Sequence, residues 1–305
     1  MQRVASMRSR KDVFKNNNRL IHYTQTNYIK NMRTLTYGVA VGNLKSPTVP
    51  YVFIGNFTEN IKKARIYGYD AVELHIRDPK DIKVNQIVKQ CDRFNIEISC
   101  ISTGLSYHFD KLSLTDYSEI KRKEAIIKIK EYIDLAILIG GSVTIGTIRG
   151  NIPPGSSYNE HEKRFCRSLE EILEYAVAKS VTLLIETANR YETNFLNKAE
   201  KIFELIDKNN FPMLKIHIDT FHMNIEEVNI GETIKKISRL LGYFHIADSN
   251  RMYPSAGHID FVPIVSALKD IQYSGYIVVE CLPVPNSNTA AKKSIDFMKS
   301  IFRDY

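Results

Sequence analysis

Residues 181–186 read Val-Thr-Leu-Leu-Ile-Glu, a short apolar run that ends on a carboxylate. Three later stretches have the same form, with apolar and β-branched residues that lead to one acidic or imidazole side chain. Such runs, when polar or turn-forming residues follow them, are typical of strands buried on both faces of a parallel sheet. The sequence therefore predicts four parallel strands, each with one potential metal ligand near its carboxyl end. The other three runs lie at 214–219, 242–247 and 276–280.

The alternation of strand, turn and helix covers the chain from residue 34 onward. Four more strands are predicted at 34–41, 71–76, 96–103 and 142–145. Helices are predicted at 58–67, 117–138, 160–179, 198–208, 230–241, 262–270 and 292–302. Eight such units match a (β/α)8 TIM barrel better than a doubly wound open sheet, and no G-x-G-x-x-G motif follows the first strand. We therefore expect an α/β fold with a single TIM-barrel domain at 32–305.

Four side chains at strand ends form the predicted metal site. Loops at the carboxyl ends of barrel strands build the active site, so we expect these side chains to converge. Each of them taken alone is explained by helix capping or by an exposed loop, but two glutamates and a histidine are poor caps. Three carboxylates and one imidazole suit a divalent cation such as Mn²⁺, Mg²⁺ or Co²⁺. The predicted ligands are Glu186, Asp219, His245 and Glu280.

Composition indicates an ordinary globular protein, with 44% hydrophobic and 25% charged residues among 305. No apolar run approaches the roughly 20 residues that a membrane span requires, so no membrane partner is expected. The four cysteines show no C-x-x-C pair. They predict reduced thiols in an intracellular, cytoplasmic protein.

The net charge of +8 is concentrated at the start of the chain. Residues 1–31 contain seven Lys or Arg and one acid, which leaves 35 basic and 33 acidic residues in the remainder. This basic segment has no apolar periodicity, which predicts a disordered extension before the barrel. A mitochondrial presequence is the alternative interpretation, and Met32 is a second candidate for the natural start. Because the body is nearly neutral, we expect no nucleic-acid partner.

Five stretches of sequence resemble the ketose 3-epimerases, the D-tagatose and D-psicose 3-epimerase group of the xylose-isomerase-like TIM barrels. The longest reads Glu-Thr-Ala-Asn-Arg-Tyr-Glu-Thr-Asn at 186–194, and the resemblance extends over about residues 34–305. Around the first four strands the similarity is architectural only. The other four stretches lie at 218–227, 244–251, 257–261 and 279–281.

This resemblance implies that the four predicted ligands hold one divalent metal per chain, Mn²⁺ first and Co²⁺ or Mg²⁺ as alternatives. It implies that Glu186 and Glu280 are the acid/base pair. It also implies that Glu192, His222 and Arg251 contact the oxygens of a small sugar, and that the protein is a homo-oligomer, a dimer or a tetramer. The residue types alone leave His222 open as a loop cap and Arg251 as a surface ion-pair residue.

Inversion of a stereocentre beside a ketone requires removal of a proton from one face and its return to the other. Two carboxylates on opposite sides of C3 can perform these transfers, and a metal that holds the carbonyl and an adjacent hydroxyl stabilises the cis-enediolate between them. The same residues serve an aldose–ketose isomerase or a dehydratase, which remain alternatives. An abasic-site endonuclease requires further histidines for three zinc ions, and His75 and His108 do not complete that set.

Arg149 is a further candidate for substrate binding. It follows the fourth predicted strand, where a guanidinium near the rim could bind a carboxylate or phosphate bidentately. A keto-sugar acid or a ketose phosphate therefore competes with a free ketose as the substrate. The alternative is that Arg149 pairs with a neighbouring acid.

Overall fold

A computed structural model describes residues 35–44 and 50–305. Within these residues, eight parallel strands form a closed ring, because the first strand pairs with both the second strand of the ring and the last. The ring strands are β1 (Thr36–Gly42), β3 (Ala71–His75), β4 (Glu97–Ser102), β5 (Ser142–Ile145), β6 (Leu183–Glu186), β7 (Leu214–Asp219), β8 (Leu241–Ile246) and β9 (Tyr276–Val279). A two-residue strand, β2 (Phe53–Ile54), pairs with the end of β1. The predicted single-domain TIM barrel is confirmed, whereas the predicted extension at 1–31 lies outside the described residues.

Helices follow the strands along the chain. They are α1 (Phe57–Tyr67), α2 (Val84–Phe94), α3 (Gly104–Asp110), α4 (Glu119–Ile139), α5 (Tyr158–Ala178), α6 (Ala199–Asn209), α7 (Thr220–Glu226), α8 (Ile230–Ile237), α9 (Val262–Asp270) and α10 (Ser287–Ile301). Of these, α2, α3 and α7 were not predicted from the sequence, and α10 starts earlier than predicted because Asn286 caps it by accepting from the Thr289 amide. No helix in the described part of the chain is both long and apolar enough to cross a bilayer.

Local chemistry explains where these helices begin and end. The side chain of Asn56 accepts hydrogen bonds from the amides of Thr58 and Glu59 and starts α1, and Gly68 ends it with φ of 93°. The predicted helix at 230–241 ends early, at Ile237, because a 3-10 turn follows and β8 begins at Leu241. The strand that carries His245 therefore starts at the residue where the sequence predicted the end of the helix.

The barrel interior has an apolar layer beneath a polar one. Cys100, Leu184, Tyr243 and Val278 pack together as the apolar layer. Side chains two positions apart point to the same face of a strand, so Glu186, His245 and Glu280 lie on the inward face one step nearer the carboxyl ends. The packed layer therefore supports the polar groups from below.

Candidate metal and active site

The structure brings together the four side chains that the sequence predicted as ligands. Nδ1 of His245 lies 3.8 Å from a carboxylate oxygen of Glu186, 3.8 Å from one of Asp219 and 3.5 Å from one of Glu280. One potential ligand atom from each of the four residues lies within 4.8 Å of the others. These separations allow one ion to contact all four groups.

The four groups come from the carboxyl ends of four neighbouring strands. Asp219 is the last residue of β7 and pairs with His245 in β8, while Glu186 ends β6 and Glu280 follows β9 directly. Asp219 also caps α7, because its carboxylate accepts a hydrogen bond from the Phe221 amide. The capping role and the candidate ligand role thus coexist in one side chain.

Burial and neighbouring charges give the two candidate acid/base groups different pKa values. Burial, reinforced by the charge of Glu280, raises the pKa of Glu186 well above its usual value. Burial would also raise the pKa of Glu280, but Arg251 and His245 outweigh it and lower that pKa to about 2. One glutamate therefore favours the protonated form and the other the ionised form.

Arg251 binds two of the acidic groups at once. Its Nη1 donates to the Asp219 carboxylate and its Nη2 to that of Glu280, and its guanidinium lies 4.8 Å from the centre of the Phe221 ring. The backbone of Arg251 has φ of 61°, in a loop where the Asp248 carboxylate accepts hydrogen bonds from several amides. Because Arg251 is buried, the interpretation as a surface ion-pair residue is wrong.

Glu192 and His222 lie together on one side of the cavity. Nδ1 of His222 accepts a hydrogen bond of 3.3 Å from the Asn189 backbone amide and lies 2.8 Å from the Asn189 side-chain nitrogen. Because Nδ1 is an acceptor, the neutral ring carries its proton on Nε2. Burial lowers the pKa of His222 well below its usual value, so the neutral ring is favoured. Asn189 also contacts the Glu192 carboxylate at 3.4 Å, which fixes the two groups relative to each other.

Glu73 and His75 belong to the same polar layer, although neither was predicted from the sequence as a residue of the site. A carboxylate oxygen of Glu73 lies 2.6 Å from Nε2 of His245. Nε2 of His75 is 3.3 Å from the other Glu73 oxygen and 3.3 Å from an oxygen of Glu280. The available signal was an acid in the middle of a buried strand, with a histidine two positions later on the same face.

Arg149 is fully buried rather than at the rim. Its Nη1 donates to the backbone carbonyl of Glu186, and its Nε and Nη2 have no hydrogen-bond partner among the described residues. Burial lowers its pKa to about 10, against the opposing effect of Glu186 and Glu192. Its backbone carbonyl accepts a hydrogen bond from the Thr115 hydroxyl, which holds the turn that contains Arg149 against Thr115.

A cavity of about 50 Å³ opens beside these groups. Glu186, Glu192, His222, Arg251 and Glu280 all line it, together with His75 and the small residues Gly104 and Gly146. Arg149 does not line it. The cavity therefore places both candidate acid/base groups and three candidate sugar contacts around one small volume.

The described residues fit a divalent cation on the chemistry of the donor set. Three carboxylates and an imidazole nitrogen are donors that Mn²⁺, Mg²⁺ and Co²⁺ accept. Nδ1 of His245 is buried and has no hydrogen-bond partner among the described residues, although it faces three carboxylates. A metal ion would satisfy this nitrogen. The fold and the site together define a TIM-barrel protein with a candidate metal centre at the carboxyl ends of its strands.

Comparison with known proteins gives the family. The model of the xylose isomerase-like TIM barrel family matches residues 61–301. An L-ribulose 3-epimerase of Methylomonas sp. is 32% identical over 70% of this chain and 74% of its own. A D-psicose 3-epimerase of Enterocloster bolteae is 35% identical over 75% of this chain and 77% of its own.

A solved structure from Methylomonas sp. supports the same assignment. It is a D-allulose 3-epimerase in complex with D-allulose, 25% identical, with a TM-score of 0.76 over 88% of this chain and 97% of its own. The chain belongs to the xylose isomerase-like TIM barrel family, and the resemblance to ketose 3-epimerases is confirmed. The relatives are named epimerases, so the prediction of an enzyme of the isomerase class is confirmed as well.

Proposed function

We propose that this protein is a metal-dependent ketose 3-epimerase. The observation that carries the proposal is the pair Glu186 and Glu280, which line one small cavity and have pKa values shifted in opposite directions. Inversion at C3 requires one group that gives a proton and one that takes a proton, on opposite faces of the carbon. The names of the curated relatives, L-ribulose 3-epimerase and D-psicose 3-epimerase, support this reaction.

The two glutamates exchange roles with the direction of the reaction. The ionised carboxylate removes the C3 proton from one face, and the protonated one returns a proton to the other face. In the metal-free protein Glu280 is the ionised member, because Arg251 and His245 hold its pKa low. The reverse reaction begins after the proton has moved to the opposite carboxylate.

Arg251, His222 and Glu192 are proposed to bind the sugar oxygens. The guanidinium of Arg251 is held beside Glu280 and donates hydrogen bonds to the oxyanion that develops when C3 loses its proton. Nε2–H of His222 serves as a second donor, because Nδ1 is occupied by Asn189. The Glu192 carboxylate accepts hydrogen bonds from sugar hydroxyls.

Glu186, Asp219, His245 and Glu280 would hold the metal ion, with Mn²⁺ as the first candidate. When bound, a divalent ion supplies Lewis-acid polarisation of the ketone and stabilises negative charge on oxygen. One ion per chain is expected. The homo-oligomer and the cytoplasmic location stay predictions.

A neutral ketose suits the cavity better than a keto-acid or a ketose phosphate. Among the described lining residues the guanidinium is that of Arg251, and it already pairs with Asp219 and Glu280. Arg149, the other candidate anion contact, is buried and does not reach the cavity. An added anion would face three glutamates without a free cation from these residues.

Deuterium labelling tests the reaction. The Mn²⁺-loaded enzyme is incubated in D₂O with D-psicose, L-ribulose or D-tagatose, and the label is located by NMR. We expect deuterium at C3 of both epimers. Label at C1 or C2 with C3 unlabelled would favour an aldose–ketose isomerase, and loss of water from the sugar would favour a dehydratase.

The number of metal ions bound per chain distinguishes the epimerase from the remaining alternative, an endonuclease. An abasic-site endonuclease of this barrel type holds three zinc ions, whereas the epimerase holds one metal per chain. Metal analysis of the loaded protein should give a value near one. Activity that persists in a demonstrably metal-free preparation would reject the metal site.

A further inference from the structure

Glu73 is an unusual residue for the middle of a buried strand, because it carries a carboxylate. It lies in the middle of β3, is fully inaccessible to solvent, and has apolar neighbours on both sides in the sequence. A buried carboxylate is costly unless hydrogen bonds or opposite charges compensate for the lost hydration. The contacts of Glu73 therefore indicate what it does.

The main contact of Glu73 crosses the barrel. β3 and β8 are separated in the ring by β9 and β1, yet the Glu73 carboxylate lies 2.6 Å from Nε2 of His245. A carboxylate accepts hydrogen bonds and does not donate them, so Nε2 of His245 carries the proton of this bond. The lone pair of the neutral ring then lies on Nδ1.

Nδ1 of His245 faces the candidate metal centre. It has no hydrogen-bond partner among the described residues and lies between 3.5 and 3.8 Å from the three candidate carboxylate ligands. The second Glu73 oxygen lies 3.3 Å from His75, which is itself 3.3 Å from Glu280. Glu73 thus contacts one candidate ligand, His245, directly and is separated from a second, Glu280, by His75 alone.

We propose that Glu73 is a positioning residue that fixes the ring orientation and tautomer of His245 so that Nδ1 is presented to the metal ion. The inference rests on the proposed function, because it assumes that His245 binds a metal. A carboxylate behind a metal-binding histidine also increases the basicity of the ring, and loss of such a group typically weakens metal binding by about 10- to 100-fold. The metal affinity is therefore the quantity to measure.

The experiment compares Mn²⁺ binding by calorimetry in the wild type, Glu73→Gln and Glu73→Leu. Gln keeps the shape and one acceptor but loses the charge, whereas Leu removes every hydrogen bond. We expect one site in each protein, with Kd raised about tenfold by Gln and up to about 100-fold by Leu. The visible spectrum of the Co²⁺-loaded protein should shift in both variants, because the ring that contacts the ion has changed.

Glu97→Gln is the matched control. Glu97 is exposed at the start of the neighbouring strand β4 and contacts the Tyr276 hydroxyl, so its variant should keep the wild-type metal affinity. Thermal unfolding of the metal-free proteins separates a purely structural role. A lowered Tm in Glu73→Gln with unchanged Kd and Co²⁺ spectrum would overturn the inference.

The two proposals fail differently. If the wild type binds one Mn²⁺ and Glu73→Gln binds it equally well, the positioning role is rejected while the epimerase proposal stands. If the wild type binds neither Mn²⁺ nor Co²⁺, the proposed metal site itself is wrong and the role of Glu73 falls with it. Should Glu73→Leu fail to fold, the Gln variant alone decides.

Discussion

Gly146 lies directly against the carboxylate of Glu186: a Cβ atom at position 146 would be 2.8 Å from Oε2 of Glu186. Gly146 directly follows β5, and Glu186 is the last residue of the adjacent strand β6. Both residues line the cavity. A side chain at 146 would therefore occupy the place of the proposed acid/base group.

Gly146→Ala should lower kcat while the barrel stays folded. The added methyl group meets the far end of a side chain, which can move at little cost to stability, but the carboxylate is then misplaced. A displacement near 1 Å can reduce the rate by about 100-fold. Steady-state kinetics and thermal unfolding provide the check, with Gly104→Ala as the control, because its Cβ makes an ordinary 3.4 Å contact with Thr147. Equal losses in both variants would contradict the explanation.

Glu186→Gln and Glu280→Gln should each abolish epimerisation. Each variant should still exchange the C3 proton with solvent on the face that the remaining carboxylate serves. Loss of one acid/base group typically reduces the rate by about 10²- to 10⁴-fold. The remaining carboxylate can still exchange the C3 proton of the epimer presented to its face with solvent deuterium, without inversion. Each variant should thus label a different epimer. Labelling of both epimers by a single variant would show that one group serves both faces.

Arg149→Met should lower kcat by roughly tenfold for every accepted sugar, because Arg149 donates to the backbone carbonyl of Glu186 and does not line the cavity. The ratio of kcat/KM for neutral and anionic sugars should stay unchanged. Arg190→Met is the matched control, since Arg190 pairs with Glu226 instead. A loss confined to anionic sugars would place Arg149 in the substrate site.

His161 should make the protein sensitive to mild acid. It is fully buried against Phe195, with both ring nitrogens unpartnered among the described residues, and burial together with Arg164 lowers its pKa to about 4. Between pH 6.5 and 4 the unfolded chain binds a proton there that the folded protein does not. The free energy of unfolding is therefore highest above pH 6.5 and decreases as the pH falls, by about 2 kcal/mol at pH 5.

Urea unfolding at pH 7.5 and pH 5 measures this effect. His161→Leu should lose about 2 kcal/mol less than the wild type between the two pH values. His258→Gln, at an exposed loop position, should behave as the wild type does. An identical pH dependence in His161→Leu would exclude this histidine as the source.

Prediction from sequence succeeded where the signal was local. The four apolar runs are strands, and α9 has the predicted bounds, because strand and helix periodicity depends on neighbouring residues. α7 escaped prediction because its cap, Asp219, is also the last residue of β7, so that no turn residue separates the strand from the helix. The contact of Glu73 with His245 was not predictable, since it depends on which strands face each other across the ring.

The burial of Arg149 depends on a loop contact that the local sequence does not reveal. A hydrogen bond from the Leu114 amide to the Ile148 carbonyl and one from the Thr115 hydroxyl to the Arg149 carbonyl draw the turn against residues 113–115. Gly150, with φ of 86°, lies so close to Ser113 and Thr115 that a Cβ atom would clash with both. The guanidinium is therefore turned inward by partners more than thirty positions earlier in the chain.

The pairing of β1 with β9 means that the ring closes only after both strands have been synthesised. β1 leaves the ribosome before β9, its partner in the closed ring, and Glu280 emerges directly after β9. A nascent chain that stops short of β9 already contains Glu186, Asp219 and His245, but its ring of strands is still open. A chain truncated before β9 would therefore keep three of the four candidate ligands but lose both the fourth and the closed ring.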